Sequence, residues 1–235
     1  YISHLEAPAA AEPGEGAAVV PDDAPASPSD RARPLAGQVA LVTGASGGIG
    51  RCIATALADR GAHVALQYRS HRQAAEDAAA EIRARGGSAA LLQADVTQEE
   101  AAQSLVDGIL ESHSRLDILV NNAGCLDDAM LAFMTSEQWR RVLDVNLTGP
   151  FYLARAAAMH MARRRSGRIV NIASDAGRLG GASRANYAAA KEGLVGFTRS
   201  VARELAGSGV LVNAISPGFI ETAMVAGIPE ARRKG

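Results

Sequence analysis

The sequence predicts an α/β chain built as a doubly wound parallel sheet, a single domain with helices on both faces. Two observations carry this. From Gly37 onward, short apolar runs alternate with amphipathic stretches, the pattern of successive βαβ units. The runs themselves are almost continuously apolar, as in Ile118-Leu119-Val120 and Ile169-Val170, which suits strands covered by helices on both sides. Right-handed crossovers then wind the chain onto both faces of one sheet.

In chain order, residues 39–42 read as the first strand, and a glycine-rich turn after them opens a helix over 50–60. A strand over 63–68 leads to a helix over 71–85, and a strand over 89–93 to a helix over 97–113. Residues 116–120 form the fourth strand. A long helical region over 136–165 follows, with a break expected near Gly149-Pro150 because proline has no N–H to donate. Residues 168–172 are the fifth strand, 185–206 the fifth helix and 210–215 the sixth strand. Residues 1–36 stand apart: Glu6, Glu12, Glu15, Asp22, Asp23 and Asp30 occur among Ala and Pro, with no Lys or Arg before Arg31. Such a segment buries too little apolar surface to offset its ordering entropy, so it reads as a disordered acidic leader, a spacer or docking tail, ahead of a domain over 37–235.

Composition narrows the function. A net charge of −1 argues against nucleic acid as the main partner. No run approaches the roughly 18 apolar residues of a membrane span. The N-terminus lacks the basic and apolar segments of a secretory signal. Cys52 and Cys125 lie in unrelated contexts, and His4, His63, His71, His113 and His160 are scattered singly. No metal site is expected, and a cytoplasmic, reducing compartment is the default.

The residues that bear chemistry fall at the carboxyl ends of the strands, where open α/β sheets bind ligands. Thr43-Gly44-Ala45-Ser46-Gly47-Gly48-Ile49-Gly50 follows the first strand and opens a helix. Its glycines permit a tight turn and close approach to a pyrophosphate, which the helix N-terminus would attract, although a glycine turn can also serve packing alone. The second strand ends in Arg69-Ser70, with no acid between Gly61 and Arg69. An acid there would hold a ribose 2′-hydroxyl, whereas an arginine accommodates a 2′-phosphate, so NADP(H) is favoured over NAD. Asp95-Val96 and Asn121-Asn122-Ala123-Gly124 end the third and fourth strands. Tyr187 and Lys191 lie i, i+4 on a helix, so phenol and ammonium can share one site. A neighbouring cation is expected to lower the tyrosine pKa and suit it to acid–base work on a carbonyl oxygen. Ser174, just after the fifth strand, and Asn146 give that pair its context.

In this order and at this spacing, Thr43–Gly50, Asn121–Gly124, Asn146, Ser174, Tyr187 with Lys191, and Pro217-Gly218 resemble the short-chain dehydrogenase/reductase family over residues 38–224. Within it, Asp144–Gly149, Ala185-Asn186-Tyr187, Gly196–Thr198, Ser200–Leu205 and Pro217–Thr222 are most similar to bacterial 3-oxoacyl-(acyl-carrier-protein) reductases. The resemblance implies a Rossmann fold with NADPH across the strand ends. Its pyrophosphate would rest on Gly44, Ser46, Gly48, Ile49 and Gly50, its 2′-phosphate on Arg69 and Ser70. Asp95 and Val96 would lie beside the adenine, Asn122, Ala123 and Gly124 along the ribose, and Pro217, Gly218, Ile220 and Thr222 beside the nicotinamide. Ser174 would bind the substrate carbonyl, Tyr187 protonate it, Lys191 hold the nicotinamide ribose, and Asn146 anchor a relay water.

The implied reaction is NADPH-dependent reduction of a 3-oxoacyl thioester, linked to acyl carrier protein or CoA, in fatty acid or polyketide biosynthesis. An acidic carrier protein would dock on Arg163-Arg164-Arg165, though a second basic position expected on the next helix is Ser208 here. Oxidation of a sugar or secondary alcohol, and a non-catalytic NADP-binding module, are the alternatives. The resemblance also implies a homotetramer, and a final helical segment and parallel strand beyond the Pro-Gly loop. That last strand is expected to be missing from this chain, which ends at Gly235.

Overall fold

The computed structural model describes residues 33–221. The strands are β1 (Val39–Val42), β2 (His63–Tyr68), β3 (Ser88–Gln93), β4 (Ile118–Asn121), β5 (Gly167–Ile172) and β6 (Val210–Ile215). They form one parallel sheet in the order β3-β2-β1-β4-β5-β6. The chain builds outward from β1 to β3, then returns to the other side of β1 with β4. This reversal opens a crevice at the carboxyl ends of β1 and β4, the place where such sheets bind ligands.

Alternation along β1 shows why both faces are covered. Val39 and Leu41 pack with Leu105, Val106, Leu153 and Met161 on one face. Ala40 and Val42 pack with Ala54, Ala58, Ala78 and Ile82 on the other. The first face is covered by α3 (Glu99–His113), α5 (Gly149–Arg163) and α7 (Ala185–Leu205), the second by α1 (Gly48–Asp59) and α2 (Arg72–Ala84). Between them in sequence lie α4 (Ser136–Leu143) and α6 (Asp175–Leu179). Leu41, Leu119 and Ile169 are fully buried in adjacent strands. Truncating Leu119 to alanine would cost roughly 2–5 kcal/mol.

The break in the long helical region lies just before Gly149, near where it was expected, but proline is not its cause. It falls at a five-residue π turn, Asp144–Thr148, where the Gly149 N–H donates to the Asp144 carbonyl. Pro150 instead occupies the first turn of α5, where the missing N–H costs nothing. The short α6 was not foreseen. Residues 33–36, assigned from composition to the disordered leader, instead make a turn. Leu35 packs against the core and its N–H donates to the Arg60 carbonyl at 2.9 Å. Residues 1–32 of that leader lie outside the described residues. Among the described residues the sheet ends at β6, and none of the helices is long and apolar enough to cross a membrane.

Candidate active site

The crevice is assembled by a clasp between the loops after β1 and β4. Thr43 Oγ1 accepts the N–H groups of Asn122 and Ala123, both at 3.0 Å. Asn122 Nδ2 donates back to the carbonyls of Thr43 (2.9 Å) and Gly44 (3.2 Å). Buried Gln67 supports the same loop from β2: its Oε1 accepts the Gly44 N–H at 3.0 Å, and its Nε2 donates to the Ala94 carbonyl at 2.7 Å. Gly44 takes φ +61°, and a Cβ there would lie 2.9 Å from Ala123 Cα. Plain packing thus explains part of the glycine pattern.

The rest of the loop is open. A Cβ on Gly47 would meet nothing within 4 Å, and Gly47 makes no side-chain cap on α1. The first turn of α1 carries no acid and no side-chain cap, an N-terminus suited to an anion. Ser46 and Ile49 are half-buried beside it, and Gly48 is exposed.

Arg69 and Ser70 are exposed at the end of β2. Arg69 reaches Asp95 only at 4.0 Å and lines a cleft of about 510 Å³ with Thr97, Arg140, Arg141, Asp144 and Val145. Asp95 is held by Thr97, accepting its N–H at 3.0 Å and its hydroxyl at 2.7 Å. Val96 is different: its side chain belongs to the hydrophobic core, and both that side chain and its carbonyl stand against Gly149.

Four polar side chains converge beyond β5. Lys191, 4% exposed, donates from Nζ to the Ile172 carbonyl at 2.7 Å and lies 5.6 Å from the centre of the Tyr187 ring. Ser174 caps α6, its Oγ accepting the Ala176 N–H at 3.2 Å. Asn146, fully buried on the π turn, donates from Nδ2 to the carbonyls of Cys125 (3.0 Å) and Val142 (2.9 Å). Its Oδ1 has no partner although it is buried. A Cβ on Gly124 would fall 2.8 Å from that oxygen and 3.8 Å from Lys191 Nζ, so the absence of a side chain at Gly124 keeps open the space between them.

Burial controls the ionisation here. It pushes Lys191 down to about 8. It also pushes the Tyr187 phenol up, against a partial counter-pull from the Ser174 hydroxyl and Arg184. The neighbouring cation was expected to lower the Tyr187 pKa; desolvation outweighs it, because Tyr187 is half-buried. Burial thus disfavours the Tyr187 phenolate.

The Pro-Gly loop closes the site from the β6 side. The Pro217 carbonyl accepts the Asp175 N–H at 3.1 Å, and Gly218 stands near Asp175 Oδ2. Ile220 is exposed, and Thr222 lies outside the described residues. Arg163, Arg164 and Arg165 are exposed at the opposite end of β5, so a strand of roughly 20 Å separates them from Ser174. Arg165 donates to the Gly207 carbonyl at 3.1 Å.

Sequence reasoning did not single out Thr43, Gln67 or Asn186 as site residues. It also passed over a buried polar chain in which Asn121 donates to Asn171 Oδ1 and Asn171 donates to Thr198, each at 2.8 Å. A polar residue interrupting an apolar strand, as Gln67 and Asn171 do, is the available signal.

Comparison with known proteins agrees with this geometry. The family model described as short chain dehydrogenase matches residues 38–233. A 3-oxoacyl-(acyl-carrier-protein) reductase of Synechocystis sp. is 49% identical over 190 residues, covering 81% of this chain and 77% of its own. The corresponding reductase FabG of Staphylococcus aureus is 43% identical over 185 residues, covering 79% of this chain and 75% of its own. A crystal structure of a proposed NAD(P)-dependent gluconate 5-dehydrogenase from Beutenbergia cavernae, with bound NADP at low occupancy, superposes with a TM-score of 0.78 at 43% identity, over 82% of this chain and 76% of that one. With the glycine loop, the Asn-Asn-Ala-Gly turn and the Ser–Tyr–Lys cluster gathered at the carboxyl ends of the strands, and relatives matched over most of their length, the chain belongs to the short chain dehydrogenase family.

Proposed function

We propose that this protein reduces a 3-oxoacyl thioester to the 3-hydroxyacyl product with NADPH. The observation that carries the reading is the convergence of Ser174, Tyr187, Lys191 and Asn146 at the end of the crevice that the glycine loop opens. The crevice fits a dinucleotide: the uncapped α1 N-terminus suits a pyrophosphate, and the exposed guanidinium of Arg69 suits a 2′-phosphate. Gly44, Ser46, Gly48, Ile49 and Gly50 would hold the former. Arg69 and Ser70 would hold the latter. Asp95 and the Val96 backbone would flank the adenine, Asn122, Ala123 and Gly124 the ribose, and Pro217, Gly218, Ile220 and Thr222 the nicotinamide. Bound there, NADPH supplies a hydride to the substrate carbonyl carbon.

Ser174 Oγ donates to the carbonyl oxygen and fixes it beside Tyr187. Tyr187, kept protonated by burial, gives its phenolic proton to that oxygen as negative charge develops. Lys191 would hold the nicotinamide ribose hydroxyls and, beside the Tyr187 ring, would stabilise the phenolate left behind. The unpartnered Asn146 Oδ1 holds a water across Gly124, and that water returns a proton by way of Lys191. The two curated relatives support a thioester as substrate. An acyl carrier protein docking on Arg163, Arg164 and Arg165 belongs to the same proposal, as does assembly into a homotetramer.

The gluconate 5-dehydrogenase neighbour supports a second reading, oxidation of a sugar acid or secondary alcohol. The test is NADPH consumption with acetoacetyl-CoA, run beside NADH and beside gluconate with NADP⁺. Turnover of acetoacetyl-CoA with NADPH preferred is the expected result. Gluconate oxidation without thioester reduction would replace the first reading with the second.

A further inference from the structure

Two buried asparagines hold one loop in the same way. Asn146 Nδ2 bridges the carbonyls of Cys125 and Val142, as described above. Asn186, also fully buried, donates from Nδ2 to the carbonyls of Asp127 (3.0 Å) and Gln138 (3.4 Å). Each carboxamide therefore joins one loop carbonyl to one α4 carbonyl. The loop carbonyls are two residues apart, and Gln138 and Val142 are one helical turn apart. Asn186 does one thing more: its Oδ1 accepts the Tyr187 N–H at 2.8 Å, satisfying a donor in the first turn of α7.

The same loop is stitched to the start of α7 nearby. The Ala129 N–H donates to the Ser183 carbonyl at 2.9 Å, and Arg184 Nε donates to Asp128 Oδ2 at 2.9 Å. On the α4 side, Gln138 Nε2 donates to Asp127 Oδ1 at 2.9 Å, and Arg141 pairs with the same carboxylate. Gln138 in turn closes the capping box of α4 with Thr135. The loop over 125–129, α4 and the first turn of α7 thus meet at one side chain.

We propose that Asn186 is a positioning residue for Tyr187: its carboxamide locks the wall over 125–129 to the helix end that carries the phenol, so that wall and phenol hold one geometry. This rests on the reduction proposed above. Asn186 touches neither substrate nor cofactor and acts through the orientation of Tyr187.

The test compares Asn186→Ala and Asn186→Asp with the parent. Alanine removes every bond. Aspartate keeps the acceptor for the Tyr187 N–H and removes both donors. In Asn186→Ala, amide exchange is expected to quicken together over 125–135 and 184–191, with the rest of the sheet unchanged. In Asn186→Asp, the change is expected over 125–135 alone. For both, kcat with acetoacetyl-CoA is expected to fall by about ten- to a hundredfold, with the NADPH Kd within about twofold of the parent. Parental exchange or parental kcat in either folded variant would overturn the proposal. A parent that reduces no ketone would overturn the reductase reading, and the exchange data would still decide the role of Asn186.

Discussion

Gly50 and Asn122 approach so closely that no side chain fits between them. A Cβ on Gly50 would lie 2.5 Å from Asn122 Nδ2 and 2.4 Å from the Gly44 carbonyl oxygen. Gly50→Ala must therefore push apart the clasp between the β1 and β4 loops. Overpacking of this kind costs about 1–3 kcal/mol, so NADPH affinity is expected to weaken by about tenfold or more. A fluorescence titration checks it; parental affinity would mean the clasp does not shape the cofactor site.

Tyr187→Phe removes the proposed proton donor and little else. We expect kcat with acetoacetyl-CoA to drop by about 10²–10⁴ while the NADPH Kd is unchanged. Steady-state kinetics and a binding titration decide it together. Full activity in the variant would transfer the acid role away from Tyr187.

Lys191→Met should separate stability from activity. Burial lowers the ammonium from 10.5 to about 8 in the folded chain. The folded state thus binds its proton less readily than the unfolded state, and stability at pH 7 is reduced by about 3 kcal/mol. Losing the bond to the Ile172 carbonyl returns about 1 kcal/mol of that. The variant is expected to unfold at higher denaturant concentration at pH 7 while losing turnover. The parent should gain stability as pH rises from about 8 toward 10.5, and the variant should show less of this gain. A less stable variant at pH 7 would contradict the argument.

Arg69→Ala tests cofactor choice. Its guanidinium is 62% exposed and only loosely paired with Asp95, so removing it leaves the fold intact. Charge-assisted bonds contribute about 1.5–3 kcal/mol each, so KM for NADPH is expected to rise by about tenfold or more with NADH little affected. An unchanged NADPH to NADH preference would place the 2′-phosphate elsewhere.

Acid should weaken the fold from the far end of the sheet. Burial lowers the pKa of His63, aided by His113, whose ring centre is 4.3 Å away. Burial and Arg164 lower that of His160, whose Nε2 accepts the Leu116 N–H at 3.4 Å and cannot do so once protonated. For a depressed histidine, the unfolded state takes up protons first. Stability is then steady above about pH 6.5 and declines as pH falls below it. Melting temperatures recorded from pH 8 to pH 5 are expected to show the decline. Replacing both histidines with glutamine should flatten it.

Much of this was legible beforehand because parallel sheets write themselves plainly. The strands over 39–42, 63–68 and 210–215 match their observed limits, and the other strands and main helices fall within about two residues of theirs. The Tyr187, Lys191, Ser174 and Asn146 group was named through the family resemblance that its order and spacing carry, and the fold brings these side chains to one place. What escaped reading shares a physical cause. The π turn looks like ordinary helix in sequence, since one extra residue in a single turn shifts the apolar phase too briefly to stand out, and the break expected near Gly149-Pro150 did not reveal its kind. Asn186 was invisible as an anchor because its partners are carbonyls, which no side-chain pattern reveals. The direction of the Tyr187 shift depends on how much water reaches the phenol, a property of packing around α6 and the loop over 125–129.

The clasp also bears on how the protein comes to be. Thr43 bonds residues 79 and 80 positions further along the chain. Such contacts close only after a long loop has been drawn together, which makes folding slow compared with helical domains. No segment made early can form the nucleotide crevice on its own. Competence to bind NADPH should emerge late in refolding, after helix content has recovered, and should serve as a clock for the pairing of β1 with β4.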